Sequence, residues 1–308
     1  MTSAVIRPDV LCVGHASYDL VFQVSRHPLP DEKMFAEGFI RCGGGPAANA
    51  AVTVARLGLK AAFSGYLGRD LFGEEHVAEL NAAGILTDWL VRGDAPTPLS
   101  AVFVKPDGAR ALVTHKAQTD YLESGAVDFS ACRPQVVLFD GHEPLLSEPL
   151  AERARAEGVP TVLDAGSLHQ GTEMLMKRVD HLVASEKFAR QVSGATDPRQ
   201  ALEKLAEFAP TVVVTLGERG LVWKTADGTR GSLPAVPVNA IDTTGAGDSF
   251  HGAYAAALAE GQDWSATLRF ASAVAALCCT RIGARLGIPG RREVEELLSG
   301  TGVNSRAA

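Results

Sequence analysis

In the segment DTTGAGDSF, Asp242–Phe250, a single carboxylate, Asp248, follows three small residues, Gly245, Ala246 and Gly247. The residues from Ser249 to Leu258 are good or tolerable helix formers, and the run closes at Gly261. The pattern predicts a helix whose N-terminus is fed by the small-residue turn. Backbone N–H groups at such an end lack intrahelical partners and converge on an anion, with the helix dipole adding to the attraction. A carboxylate would repel a phosphate that it only had to hold. It makes chemical sense if it accepts a proton from a hydroxyl attacking that phosphate, while the amides stabilise the charge on the group in transfer. The alternative is that Asp248 caps the helix, a position Asp commonly fills.

A second glycine cluster, GGGPAANAAVTVARLG from Gly43 to Gly58, also leads into a helix, with Pro46 suited to an early helical position and Gly58 to the end. Residues Gly43–Ala48 fit G-x-G-x-x-A, the dinucleotide-binding pattern. That pattern calls for an acidic residue about twenty positions further on, and none occurs between Gly43 and Arg69. No G-x-x-x-x-G-K-[ST] run occurs either. Two helix mouths suited to anions or polar ligands remain, without a standard nucleotide signature on either.

Positioning these loops requires a scaffold. Short apolar runs, VLCVG, AAFSGYLG, VVLFDG, TVLDAG, HLVAS, TVVVTLG and GLVWKT, read as strands. LFGEEHVAELNAAG, SEPLAERARAEG and RQALEKLAEFA carry apolar residues at helical spacing between them. The alternation predicts an α/β fold, a doubly wound and mainly parallel sheet with helices on both faces. Two stretches, DLVFQVS with KMFAEGFIRCGG and LSAVFVKPDGARALVTHK, alternate at period two without helices, and PDG marks a hairpin turn. They predict a small separate β-sheet, a lid or an edge extension, with strands within about 20–43 and 98–116. No Pro/Gly/Ser-rich linker divides residues 1–308, which read as a single domain with a fraying tail, SGTGVNSRAA.

The 308 residues are 46% hydrophobic and carry a net charge of −7, which disfavours nucleic acid as a partner and favours small molecules. Five cysteines without a C-x-x-C pair argue against a disulfide framework or zinc knuckle. The N-terminal apolar run is broken by Arg7, Pro8 and Asp9, so neither a signal peptide nor a membrane span is expected and the location read is cytoplasmic.

With DTTGAGDSFHGAYA at Asp242–Ala255, GGPAANAAVTVARLG and the Gly68 that follows it, the sequence resembles the ribokinase-like (PfkB) carbohydrate kinase family. GHASYD, GYLGRDLFG, VVVTLGERG and TRIGARLGIP extend the resemblance over nearly the whole chain. It implies a doubly wound domain with a β lid and transfer of the ATP γ-phosphoryl group to a sugar hydroxyl. Asp248 would be the base, and Gly245, Ala246 and Gly247 the anion hole. Asp19, Gly44, Gly45 and Asn49 would hold the sugar, and Asn49 both donates and accepts hydrogen bonds. Thr215, Gly217, Gly220 and Ser272 would lie near ATP, with Ser185 and Glu186 toward its Mg2+ and phosphates. Here the chain departs from many relatives, whose N-E-x-E segment reads SEKF, with Phe188 replacing the second acid. Asp242, Thr244 and the backbone near Cys278, Arg281, Gly283 and Gly287 match a loop that binds a monovalent cation such as K+. Lid strands of the family often pair across a homodimer, so dimerisation through the lid is expected.

The wording VGHASYD, GGGPAANAA, ASEKFA and CTRIGARLGIP is closest to the ketohexokinase and sulfofructose kinase branch, so a ketose or ketose-like acid is the leading acceptor class. Lys33 matches a lysine that sulfofructose kinases use for the anionic end of their sugar. Lys33, with Arg110 or Lys116 on the other lid hairpin, would then meet a negative group. Against a sulfonate, FDGHEP has His142 where that branch carries an arginine. Rival readings are a nucleoside kinase, with Phe22, Phe35, Phe39 and Phe103 as the lid aromatics, and a non-catalytic sugar-binding regulator, against which the intact GAGD stands.

Overall fold

A computed structural model describes residues 4–116 and 120–300, so most of the tail expected to fray lies outside the described residues. The chain runs β1 (Val10–Val13), β2 (Ser17–Gln23), β3 (Gly38–Gly44), α1 (Pro46–Arg56), β4 (Ala61–Ser64), β5 (Tyr66–Gly68), α2 (Leu71–Ala82) and β6 (Val91–Gly93). It continues through β7 (Leu99–Val104), β8 (Arg110–His115), β9 (Val136–Phe139), α3 (Pro144–Glu157), β10 (Thr161–Ala165), α4 (Gln170–Leu175), β11 (His181–Ser185), α5 (Glu186–Ser193) and α6 (Pro198–Leu205). The last third holds β12 (Thr211–Thr215), β13 (Leu221–Lys224), β14 (Arg230–Leu233), α7 (Ala246–Ala259), α8 (Trp264–Cys278), α9 (Ala284–Gly287) and α10 (Arg291–Leu298).

Eight strands form the main sheet in the order β14-β13-β12-β11-β10-β9-β1-β4, parallel from β12 to β4 and antiparallel at the β13 and β14 edge. Successive side chains of a strand point to opposite faces. In β1, Val10 and Cys12 therefore enter one apolar layer and Leu11 and Val13 the other. The first layer packs under α1, α7 and α8, the second under α3 to α6. Both faces are covered, which is why these strands read as unbroken apolar runs. The doubly wound α/β expectation holds.

The run AAFSGYLG, read as one strand, is broken at Gly65 into β4 and β5. A Cβ at Gly65 would lie 2.2 Å from the Gly14 carbonyl oxygen, and β5 leaves the main sheet to pair with β6. The helix expected from RQALEKLAEFA ends at Leu205.

The small sheet has the order β3-β2-β7-β8, two antiparallel pairs joined by the parallel β2–β7 pairing. The strand expected from KMFAEGFIRCGG begins only at Gly38, leaving Lys33 exposed in the connection between β2 and β3. The PDG turn forms as expected, with Gly108 at φ +76°. Register puts Asp19, Val21, Ser100, Val102, Thr114 and Arg110 on one face and Phe22, Phe39, Phe103 and Val113 on the other. Among the described residues no helix is long and apolar enough to cross a membrane.

Candidate active site

Helix α7 starts three residues earlier than its sequence suggests. Gly245 is its N-cap in the left-handed region, φ +76°, so Ala246, Gly247 and Asp248 form the first turn. The amides of Gly245, Gly247 and Asp248 make no hydrogen bond among the described residues, whereas Ala246 N, expected in the anion hole, donates to the Thr243 carbonyl at 3.4 Å, and Ser249 N donates to the Gly245 carbonyl at 2.8 Å. The Asp248 carboxylate does not cap the helix. It accepts from Asn49 Nδ2 at 2.8 Å, across to the first turns of α1.

Asp19, Gly44, Gly45 and Asn49 come together beside it. Asp19, on β2, pairs with Cys42 on β3, and Gly44 ends that strand. A Cβ on Gly44 would lie 2.2 Å from Asp19 Oδ2, so glycine is what lets this carboxylate pass the loop. Asp19 is buried and its Oδ1 accepts from the Ser17 hydroxyl at 2.9 Å. Burial pushes its carboxyl up from the usual range and the Asp248 charge pushes the same way, while Ser17 and Arg285 pull it back.

The second helix mouth differs from its expectation as an open anion site. At the head of α1 the anion is the chain's own Asp140, whose Oδ2 accepts from Ala47 N at 3.1 Å and His15 N at 2.8 Å while Oδ1 accepts from His142 N at 2.8 Å. These charge-assisted bonds tie the ends of β1 and β9 to the start of α1.

On the other side of Asp248 lies a cleft of about 600 Å3 lined by Thr215, Gly217, Gly220, Ser272, Ala246 and Gly247 together with Val236, Val238, Phe250 and Ala276. All four residues assigned to the nucleotide side thus share one apolar-walled cavity with the head of α7, of a size suited to a small-molecule ligand. Ser185 and Glu186 stand outside its lining. The Ser185 hydroxyl donates to the Gly166 carbonyl at 2.8 Å and accepts from Phe188 N at 3.0 Å as the N-cap of α5, and Glu186 pairs with Arg219. Phe188 is fully buried in the core.

The cation-loop residues are also gathered. Asp242 Oδ1 accepts from Thr244 N and Oγ1 at 2.8 and 2.6 Å, and its Oδ2 accepts from Gly283 N at 2.8 Å. The Cys278 thiol lies 3.8 Å from the Thr244 carbonyl oxygen, and a Cβ at Gly287 would meet the Cys278 carbonyl oxygen at 2.5 Å. Asp242 Oδ1 fixes its own loop, and Oδ2 ties that loop to the one at Gly283. The Arg281 side chain turns away to Glu293.

Arg110 is not beside the sugar-side residues. It lies on the Asp19 face but two cross-strand rows beyond Thr114, and its charge acts on the Cys279 thiol in the wall of the nucleotide-side cleft. Lys33 is further out, in the exposed β2–β3 connection. Lys116 instead shares a small pocket with His15, Tyr121 and Glu143, and its charge acts on His15, His169 and Glu143.

Several groups at the site give no signal in the sequence. Three imidazoles from the ends of β1, β9 and β10 form a row, with His15 and His142 ring centroids 5.1 Å apart and His142 and His169 4.5 Å apart. Burial pulls His15 down to about 3 and His169 to about 4, so both are neutral near pH 7. Burial pushes Glu143 up to about 7. Within α7, His251 Nδ1 stands 2.6 Å from the Gly247 carbonyl oxygen and 3.2 Å from Asp164 Oδ2. Burial raises the Asp164 carboxyl and the Asp248 charge adds to it, as it does at Asp19. His142 was singled out only as a departure; the rest reveal themselves through partners distant in sequence.

Residues 7–291 match the model of the pfkB family carbohydrate kinases. Over 296 residues the chain is 30% identical to a ribokinase from Bacillus subtilis, covering 94% of this chain and 99% of that protein. It superimposes with a TM-score of 0.83 and 27% identity on an Arabidopsis thaliana ribokinase complexed with ribose and ATP, covering 95% and 99% of the two chains. A fructokinase with bound ATP from Xylella fastidiosa matches with a TM-score of 0.78 and 28% identity over 94% and 98%. With that likeness running through both loops that frame Asp248, the chain belongs to the pfkB family of carbohydrate kinases and is an ATP-dependent sugar kinase.

Proposed function

We propose that this kinase phosphorylates ribose or a closely related small sugar, with Asp248 as the general base. The observation that carries this reading is the place of Asp248: on the first turn of a helix with free amides, between the Asp19–Asn49 corner and the 600 Å3 cleft. A sugar hydroxyl entering from the Asp19 side meets the carboxylate as it meets the γ-phosphoryl group. Asp248 accepts the proton, the amides of Gly245 and Gly247 hold the oxygens of the transferring group, and Asp19 and Asn49 orient the other hydroxyls. ATP occupies the cleft with Thr215, Gly217, Gly220 and Ser272 around it. Mg2+ neutralises the phosphate oxygens when bound. With the Ser185 hydroxyl already used by the fold and Phe188 in the core, Glu186 is the acid of that segment left to meet it through water. The loops joined by Asp242 supply backbone oxygens for a monovalent cation such as K+.

Ribose is favoured over the ketose expected from the sequence by the names of the relatives, one of which is a solved ribokinase holding ribose and ATP. A ketose carrying an anionic end remains the second reading because Lys116 shares a pocket with His15, whose carbonyl oxygen would lie 2.5 Å from a Cβ on the sugar-side Gly45. A nucleoside fits less well. Phe22, Phe39 and Phe103 stack on the face of the small sheet opposite Asp19, and Phe35 is 87% exposed in the β2–β3 connection. None is set to hold a base in the acceptor corner.

Coupled ADP release over ribose, deoxyribose, fructose, sugar acids and adenosine, in K+ and in tetramethylammonium buffers, tests these assignments. The highest kcat/KM is expected for ribose, with a gain in K+. Turnover confined to adenosine, or absent with every sugar, would refute the acceptor reading.

The outward Phe22–Phe39–Phe103 face, with Val113 67% exposed on it, is the surface we assign to a homodimer through the lid. Val113→Glu with Phe39→Glu is expected to turn a dimer into a monomer by light scattering. A monomeric parent protein at micromolar concentration would refute the assignment.

A further inference from the structure

Asn49 stands between two charged groups, and its amide satisfies both in only one orientation. Arg285 reaches Asn49 Oδ1 through Nε at 3.4 Å and Nη2 at 3.2 Å. A guanidinium carries donors only, so the amide oxygen must face it. The amide nitrogen is thereby turned to Asp248 Oδ2 at 2.8 Å, where an ionised carboxylate accepts. A flipped amide would set two donors against each other on one side and two acceptors on the other.

We propose that Arg285 is a positioning residue for phosphoryl transfer: it locks the Asn49 amide, which holds the Asp248 carboxylate toward the acceptor hydroxyl. The proposal rests on the reading of Asp248 as base. Arg285 sits on the short α9 and is 5% exposed. Its remaining donors are tied to α2, Nη1 to Glu79 Oε2 at 3.3 Å and Nη2 to His76 Nε2 at 3.0 Å. His76 Nε2 must accept there, which fits a ring that burial and the Arg285 charge keep neutral. Glu79 Oε2 also accepts from Gly43 N at 2.9 Å, so the anchor of the guanidinium is the anchor of the sugar-side loop. A Cβ at Gly43 would lie 2.6 Å from Arg285 Nη1, which shows how closely that loop rests on the cation.

The charge has a second consequence. Asp19 and Asp248 repel each other, and Arg285 is the buried cation that offsets this at Asp19. Loss of Arg285 frees the Asn49 amide to rotate and leaves the two acids facing each other unscreened. Both effects act on the carboxylate that takes the proton, and Arg285 itself is not among the residues that line the nucleotide-side cleft.

The test is a double-mutant cycle on the full-length enzyme, with ribose and fructose as acceptors and MgATP as donor. Arg285→Gln is expected to lower kcat by about 30- to 100-fold, as a misplaced base does, with KM for MgATP changed less than about threefold. Arg285→Lys keeps a cation that can hold Asn49 Oδ1 and is expected to recover about tenfold of that loss. In an Asn49→Ala background the Arg285→Gln change should cost at least about threefold less in kcat than in the parent, because the link through the amide is already cut and only the charge offset at Asp19 remains to be lost. An equal loss in both backgrounds, or full kcat in Arg285→Gln, overturns the proposal and leaves Arg285 as packing. Should Arg285→Gln not fold, the Arg285→Lys and Asn49→Ala pair decides by the same criterion. Asp248→Asn, run alongside, separates the two failures: if it keeps full turnover the base reading falls, and if it is inactive while the cycle is additive, only the role of Arg285 falls.

Discussion

Replacing Asp248 by asparagine should lower kcat by about a thousandfold, within the range that general bases contribute, while KM for sugar and ATP stays within a few-fold. The substitution is nearly isosteric, and its amide oxygen can still accept from Asn49 Nδ2, the bond that Asp248 makes at 2.8 Å. Proton acceptance is what it removes. The electrostatics sharpen the expectation, because the Asp248 charge raises the carboxyls of both Asp19 and Asp164. Neutralising residue 248 relieves that repulsion, so thermal stability should hold or rise while activity collapses. A capping residue would behave in the opposite way. Asn caps a helix about as well as Asp, so kcat would survive in Asp248→Asn and stability would fall in Asp248→Ala. Steady-state kinetics and thermal unfolding of the two variants decide, and unimpaired turnover in Asp248→Asn would refute the base assignment.

The scaffold around this residue was readable because its signals are local. A parallel strand buried on both faces must be apolar at every position, as Val10–Val13 and Val136–Phe139 are, and the helices between strands carry their own periodicity and stop signals. The start of α7 was misread for a local reason too. Gly245, Ala246 and Gly247 look like a loop by propensity, yet Gly245 alone caps the helix and Gly247 is already inside it. The charged framework was not legible. Arg285 meets Asn49 across 236 residues and Asp140 meets His15 across 125, and no period or motif links such partners. Asp140 shows what is lost: the GGGP mouth looks like an open anion site until the fold brings in a carboxylate to fill it. Lys33 is singled out by its match to a sulfofructose kinase lysine and Arg110 by its place on the other lid hairpin, but β-strand register sets Arg110 opposite Val104, two rows from Thr114, and Lys33 precedes β3.

Gly245→Ala tests the other half of the catalytic corner, and its effect should reach both folding and turnover. At φ +76° a Cβ is disfavoured by about 1–2 kcal/mol. There is also no room for it, since it would lie 2.6 Å from Ala284 Cβ and 2.8 Å from Ala284 Cα. The neighbouring loop cannot simply retreat, because Asp242 Oδ2 holds Gly283 N at 2.8 Å. The strain must therefore be relieved by tilting the first turn of α7, which re-aims the free amides of Gly245 and Gly247. Anion-hole donors act only when they point at the developing charge, and losing one costs about 10²–10³ in kcat. We expect Gly245→Ala to unfold several degrees earlier and to lose at least about a hundredfold in kcat. Gly247→Ala is the control that separates strain from access. Its added Cβ meets nothing within 4 Å, and alanine inside a helix is favoured over glycine by about 0.5–1 kcal/mol. That variant should be as stable as the parent or more so, while its methyl, on the wall of the nucleotide-side cleft, raises KM for ATP. Equal turnover in Gly245→Ala and the parent enzyme would mean that the amides at this helix end do not hold the phosphoryl group in transfer.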